Sequence, residues 1–323
     1  MSGKLRVLVT RRWPKRVEQA LLDRFDTTLA SGEGPMSQDD LAQAMRDYDV
    51  LCPTVSDRID ADVIAAADRC RLIANYGVGF EHIDLDAAKR AGVAVTNTPG
   101  VLTDATADLA MTLVLMATRR TGEGERQVRS GAWSGWRPNQ LIGSDVRGKV
   151  LGVVGMGRIG VATARRAHHG FGMRIAYFAR HRSDAELERE LGAEYVPDLH
   201  DLLARSDVVS LHVPGGDETE HLIDTAALAA MKPGSYLVNT ARGTVVDHDA
   251  LAQALSSGHL AGAGLDVYPH EPEVPSALLH IENVVLLPHL GSATVETREA
   301  MGMRALANVE AFAKGEDLPD RVA

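Results

Sequence analysis

Residues 149–170 read KVLGVVGMGRIGVATARRAHHG, and this stretch decides the fold. An apolar run, KVLGVVG (149–155), has the composition of a buried strand. It leads into Gly155-Met156-Gly157-Arg158-Ile159-Gly160, a G-x-G-x-x-G pattern that opens a helical stretch. Among 30 glycines such a pattern arises easily, so its position between strand and helix carries the weight. Gly155 allows the tight turn, Gly157 lets the backbone approach a pyrophosphate, and Gly160 lets helix and strand pack closely. The unpaired N–H groups of the helix start then face the phosphates of a dinucleotide.

Outward from this turn the alternation of strand and helix continues. MRIAYFA (173–179), DVVSLHV (207–213), SYLVNTA (235–241), AGAGLDV (261–267) and NVVLLP (283–288) complete six strand candidates, enough for a doubly wound parallel sheet. Upstream, LRVLVT (5–10), DVLC (49–52), RLIAN (71–75) and VAVTN (93–97) are strand candidates separated by helical segments at 37–46, 60–68 and 84–91. Asp60 and Asp84 suit helix N-caps, and Gly92 suits a helix stop. Long helices are expected over 102–119 and 292–314. The Gly-, Arg- and Trp-rich segment 121–148 fits no βα unit; it reads either as an arm reaching a partner subunit or as a surface loop.

A chain of 323 residues exceeds the size at which a single core keeps growing, so two domains are expected. The net charge of −10 disfavours nucleic acid and anionic membranes as partners. The first residues, MSGKLRVLVT, carry too short an apolar run for a signal peptide or a membrane span, so a cytoplasmic protein is expected. Cys52 and Cys70 have no metal or redox spacing and read as buried free thiols, and no metal site is expected.

The second strand of the dinucleotide unit ends Tyr177-Phe178-Ala179-Arg180-His181-Arg182, without the acid that accepts the adenosine ribose hydroxyls of NAD. Arg180 and Arg182 instead suit a 2′-phosphate, which predicts NADP in preference to NAD. Arg242, Glu271 and His289 follow strand candidates in NTARG, DVYPHEP and LPHLG, at strand ends where open α/β sheets place ligands. His212 reads as a strand residue with a structural part, and His168 and His169 as helix-end residues.

Together with NYGVGFEHID (75–84), TPGVLTDATADLA (98–110), HVPG (212–215) and GSAT (291–294), these motifs resemble the D-isomer-specific 2-hydroxyacid dehydrogenases over nearly the whole chain. WSGWRP (133–138) and the basic loop at 178–182 make it most similar to the glyoxylate/hydroxypyruvate reductases of that family. The resemblance implies reduction of a small 2-oxo acid to its D-2-hydroxy acid. His289 would exchange the proton, Glu271 would hold its other ring nitrogen, and Arg242 would bind the substrate carboxylate. A carboxylate beside an imidazole favours its protonated form, and a planar guanidinium suits a carboxylate better than an ammonium does. The N–H groups of Val78 and Gly79 would complete the carboxylate cradle, and Trp136 would limit substrate size. Thr106, Val213, Pro214, Thr240, Ala241, Asp266, His289 and Gly291 join the glycine turn as expected cofactor contacts. For Asp266 a structural part at a strand end is equally open. The implied fold is a Rossmann cofactor domain over 101–289 and a smaller flavodoxin-like substrate domain over 1–100 and 290–323, hinged near 99–101 and 288–291. A homodimer formed through 121–148 and the following region is implied as well. Within the family, phosphoglycerate, D-lactate and formate dehydrogenases are alternatives; outside catalysis, a dinucleotide-sensing corepressor is another.

Overall fold

The computed structural model describes residues 4–323, and its contacts divide the chain into two units. The smaller comprises the chain up to Leu102 together with Ala293–Ala323; the larger is Thr103–Ser292.

The smaller unit is built on β1 (Arg6–Val9), β2 (Asp26–Leu29), β3 (Val50–Cys52), β4 (Leu72–Ala74) and β5 (Ala94–Thr96). All pairings are parallel, in the order β2-β1-β3-β4-β5, the flavodoxin-like arrangement. Alternate side chains feed two apolar layers. Val7, Val9, Val50, Cys52, Leu72 and Ala74 pack on one face with Leu21, Met301, Leu306 and Val309. Leu8, Leu51, Ile73 and Val95 pack on the other with Leu41, Met45, Ile64 and Ala88. Strands buried on both faces must be apolar throughout, which is why four of the five stand out in the sequence. The fifth, β2, was not anticipated: its sequence DTTL lies half-exposed at the sheet edge. Asp60 and Asp84 cap their helices by accepting from the Val63 and Ala87 N–H groups, and Gly92 ends the second in the left-handed conformation. The helix Val295–Lys314 covers the first face, and Val95 exchanges backbone hydrogen bonds with Val322 and Ala323 along the opposite edge. Cys52 and Cys70 are buried free thiols, pushed up in pKa by burial.

In the larger unit, β6 (Val150–Val154), β7 (Arg174–Phe178), β8 (Glu194–Tyr195), β9 (Val208–Leu211), β10 (Tyr236–Asn239), β11 (Gly262–Leu265) and β12 (Val284–Leu286) form one parallel sheet. Its order is β12-β11-β10-β9-β6-β7-β8. The chain runs outward from β6 through β7 and β8, then returns to the other side of β6 and runs outward again. This reversal between β6 and β9 is the switch point at which doubly wound sheets bind dinucleotides. Six strands match the expected runs; the two-residue edge strand β8 carries no apolar signal. Helix Thr103–Thr118 packs Met111, Leu113 and Val114 onto Leu151, Val153 and Val238 of the sheet. The segment after it is not wholly irregular: it begins with the helix Thr121–Arg129, and only the stretch from there to β6 lacks regular structure.

Among the described residues no helix is long and apolar enough to cross a membrane, and no group of His, Cys, Asp and Glu could hold a metal ion.

Candidate active site

The glycine turn follows β6 directly. Gly155 has φ of 96°, and a Cβ there would lie 2.6 Å from the His212 carbonyl oxygen at the end of the neighbouring β9. A Cβ on Gly160 would meet the Gly155 carbonyl at 2.1 Å. Both positions therefore admit only glycine. Gly157, by contrast, faces open space and stands as the N-cap of the helix Arg158–Arg165. That is the room a diphosphate needs in front of unpaired N–H groups. Val213 abuts the turn, its Cγ1 being 3.0 Å from where a Gly155 Cβ would stand. Met156 and Ile159 are half-buried, while Arg158 and Pro214 are exposed. Beyond β10, Ala241 is buried with its N–H donating to Asn239 Oδ1, and the buried Thr240 hydroxyl has no partner among the described residues. An orphaned hydroxyl past β10, on the same edge of the parallel sheet as the open glycine turn, fits a polar ligand, so these residues suit a dinucleotide.

His212 lies just past β9 rather than within it. Its Nε2 pairs with Ser210 Oγ at 2.9 Å, and desolvation lowers its pKa to about 4, so it stands neutral. His168, near the end of its helix, bonds through Nδ1 to the Met173 carbonyl at 3.1 Å.

At the end of β7, Arg182 grips Glu188 through Nε and Nη2, both at 2.8 Å, and Tyr177 donates its hydroxyl to the same carboxylate at 2.7 Å. The Arg182 guanidinium and the Tyr177 hydroxyl hold Glu188 down to a pKa of about 2. Arg180 pairs with Glu218 at 3.3 Å, both side chains largely exposed. Glu188 went unread in the sequence because it belongs to the next helix, Ala185–Leu191.

His289 follows β12 with φ of 54°, a left-handed conformation rare outside glycine. Three hydrogen bonds surround it. Its own N–H donates to the Asp266 carbonyl at 2.9 Å. The N–H groups of Leu290 and Gly291 donate one to each Asp266 carboxylate oxygen, at 2.7 and 2.8 Å. The buried Thr106 hydroxyl then holds the Gly291 carbonyl at 3.1 Å. Asp266 is 1% exposed, and burial pushes its carboxyl above the ordinary value against the pull of these donors. Both Asp266 oxygens thus accept from the histidine loop, as a structural acid at a strand end would.

The His289 ring meets Glu271, with Nδ1 2.7 Å from Oε2, while Glu271 Oε1 accepts from the Tyr268 N–H at 3.1 Å. Burial would raise the Glu271 pKa, but the His289 hydrogen bond and the charges of His289 and Arg242 outweigh it and leave it lowered. An ionised carboxylate can only accept, so Nδ1 carries a proton and Nε2 is left for exchange with a ligand. Arg242 is brought near by a close approach. A Cβ on Gly243 would fall 1.9 Å from the Tyr268 carbonyl carbon, so glycine alone lets the Arg242 turn rest on the loop that carries Glu271. The half-buried Arg242 donates from Nη1 to the Ala241 carbonyl at 2.7 Å, and its own carbonyl accepts from Asn239 Nδ2. Arg242, Glu271 and His289, scattered over the ends of three strands in sequence, thus share one locus of the larger unit. Trp136 lies in the irregular stretch before β6, 80% exposed, and Val78 and Gly79 belong to the loop after β4 of the smaller unit.

An open glycine turn at the sheet's switch point and an acid-supported imidazole on the same sheet define a dinucleotide-dependent oxidoreductase. Residues 111–291 match the family described as "D-isomer specific 2-hydroxyacid dehydrogenase, NAD binding domain". A glyoxylate reductase of Korarchaeum cryptofilum is 48% identical over 99% of this chain and 96% of its own length. The crystal structure of a putative D-isomer specific 2-hydroxyacid dehydrogenase from Polaromonas superposes with a TM-score of 0.93 at 38% identity, covering 99% of this chain and 100% of that one. An NADPH-dependent glyoxylate/hydroxypyruvate reductase of Sinorhizobium meliloti, solved with NADP and malonate, gives 0.88 at 35% identity, covering 99% and 97%. The chain belongs to the D-isomer-specific 2-hydroxyacid dehydrogenases and uses a nicotinamide dinucleotide.

Proposed function

We propose that the protein reduces glyoxylate and hydroxypyruvate to their 2-hydroxy acids. The observation that carries this is the Glu271 carboxylate, bonded to His289 Nδ1 at 2.7 Å and lowered in pKa by the Arg242 charge as well. When bound, the reduced dinucleotide supplies the hydride. Arg242 holds the substrate carboxylate as a charge-assisted pair and polarises the adjacent carbonyl. His289 delivers a proton from Nε2 to the carbonyl oxygen, and Glu271 stabilises the imidazolium and fixes its orientation. Val78 and Gly79 offer N–H groups to the same carboxylate, the smaller unit serving as the substrate-binding domain. Relatives named glyoxylate reductase at 45–48% identity support this substrate class.

NADPH is the preferred reductant in this reading. Ala179 stands where an acid would repel a 2′-phosphate, and Arg180 and Arg182 follow it. Thr106, Thr240 and Asp266 border the cofactor, with Thr106 and Asp266 acting mainly on the histidine loop. The protein works as a homodimer through 121–148 and the following region; Val128, Trp133, Trp136 and Ile142 expose large apolar surface there, at 62, 52, 80 and 64%. Trp136 would then limit substrate size in the neighbouring subunit.

Steady-state oxidation of NADPH and NADH with glyoxylate, hydroxypyruvate and pyruvate tests the proposal. Turnover abolished by His289→Ala, in a variant that still binds NADPH, is expected; no turnover of any 2-oxo acid by the unaltered protein overturns it.

A further inference from the structure

The loop that follows β4 is held from behind by buried amides. Asn75, with no exposed surface, uses both its amide hydrogens on the loop, donating to the carbonyls of Gly77 at 3.2 Å and Gly79 at 2.8 Å. The Thr98 N–H also reaches the Gly77 carbonyl, at 2.9 Å. Asn97, 8% exposed, donates from Nδ2 to the Val78 carbonyl between them, at 2.8 Å. Three successive carbonyls are therefore turned into the body of the smaller unit. Because each trans peptide is planar, its N–H points opposite to its carbonyl. Fixing the Gly77 carbonyl fixes the Val78 N–H, and fixing the Val78 carbonyl fixes the Gly79 N–H. Neither N–H donates a hydrogen bond among the described residues, so both are aimed away from the interior. His82 completes the arrangement. Asn75 Oδ1 must accept, since its nitrogen already donates twice, so the His82 Nε2 at 3.1 Å carries the proton and holds the amide in place.

We infer that Asn75 and Asn97 are positioning residues for the substrate carboxylate: Asn97 sets the Gly79 N–H, Asn75 the Val78 N–H, and His82 locks Asn75. This rests on the reading that the two N–H groups bind that carboxylate. The carboxylate persists unchanged from bound substrate to transition state, so losing its donors weakens both alike and raises KM with little change in kcat.

The test is a set of variants of the full-length protein assayed with glyoxylate, with oxamate as a competitive carboxylate probe and NADPH binding followed by nicotinamide fluorescence. Asn97→Ala and the near-isosteric Asn97→Asp, which keeps the volume but loses the donor, should each raise the glyoxylate KM and the oxamate inhibition constant roughly 10- to 100-fold. Their kcat should stay within about threefold and their NADPH affinity should be unchanged. His82→Asn, which acts on the N–H groups only through Asn75, should show the same split at roughly threefold and carries the test if the Asn97 variants do not fold. Wild-type KM in Asn97→Asp, or a fall in kcat with KM unchanged, overturns the positioning role. Arg242→Lys measured alongside separates the two levels. A raised KM there with Asn97 variants like wild type discards the positioning role alone, whereas unchanged KM in both discards the carboxylate reading beneath it.

Discussion

The loop after β7 lacks the acid of a standard NAD site, and substitutions around it test the proposed preference for NADPH. Two unit charges about 4 Å apart in water attract by about 1 kcal/mol, and a phosphate monoester near neutral pH carries about 1.5 to 2 negative charges. Each arginine that reaches a 2′-phosphate should then contribute about 10- to 30-fold in affinity, and nothing toward a free 2′-hydroxyl. Arg182 is gripped by Glu188 and Arg180 only loosely by the exposed Glu218, yet electrostatic contributions superpose. Arg180→Ala and Arg182→Ala each remove one positive charge and should each raise the NADPH KM about 10- to 30-fold while leaving that for NADH within about twofold. Glu188→Gln keeps an acceptor for the Tyr177 hydroxyl and removes one negative charge, so it should improve NADPH binding by a comparable factor. The assay is kcat/KM with both reduced cofactors at a saturating 2-oxo acid, repeated at raised ionic strength, where screening must compress the NADPH advantage. A wild-type preference for NADH, or equal losses with both cofactors in the arginine variants, refutes the reasoning.

Glu271→Gln replaces the charge-assisted bond to His289 Nδ1 by a neutral one; a fall in kcat/KM of about 10- to 100-fold is expected, with NADPH affinity unaltered, in steady-state and binding assays. Asp266→Asn puts an amide nitrogen against one of the two N–H groups it now accepts from, freeing the left-handed His289 backbone; kcat should drop at least about tenfold, and Thr106→Val should cost about fivefold, with Thr106→Ser restoring it. His212, depressed by burial from 6.5 to about 4, remains neutral in the folded protein while the unfolded chain takes up a proton. Stability should therefore be fully present above pH 6.5, decline by about 3 kcal/mol as pH falls toward 4, and lose that slope in His212→Asn, as read by denaturant unfolding across that range.

Legibility in the sequence followed burial. Strands covered on both faces announce themselves as apolar runs, and the glycine pattern gains meaning from the strand before it and the helix after it. The edge strands β2 and β8 are half-exposed, so DTTL and Glu194-Tyr195 offered no period to read. Capping aspartates such as Asp60 and Asp84 were legible because their partners lie three residues away on the same helix. The partners of Asn75, Asn97 and Asp266 are backbone groups, and backbone groups have no letter in a sequence. Glu188 was hidden differently: only folding brings its helix beneath the β7 loop.

The groups that touch ligand in the proposed reaction stand on loops after the strands, where backbone is least constrained by pairing. What constrains it is a set of buried side chains whose bonds go to the main chain: Asp266 and Thr106 around His289, Asn75 and Asn97 behind Val78 and Gly79. A buried polar group left unsatisfied costs more than its bond contributes when made, so each member of the set resists replacement even though none reacts. The two clamps act on different quantities. On the proposed roles, loosening the histidine loop should displace a proton donor that only the transition state uses, and lower kcat; loosening the amide-held loop should weaken a contact common to substrate and transition state, and raise KM.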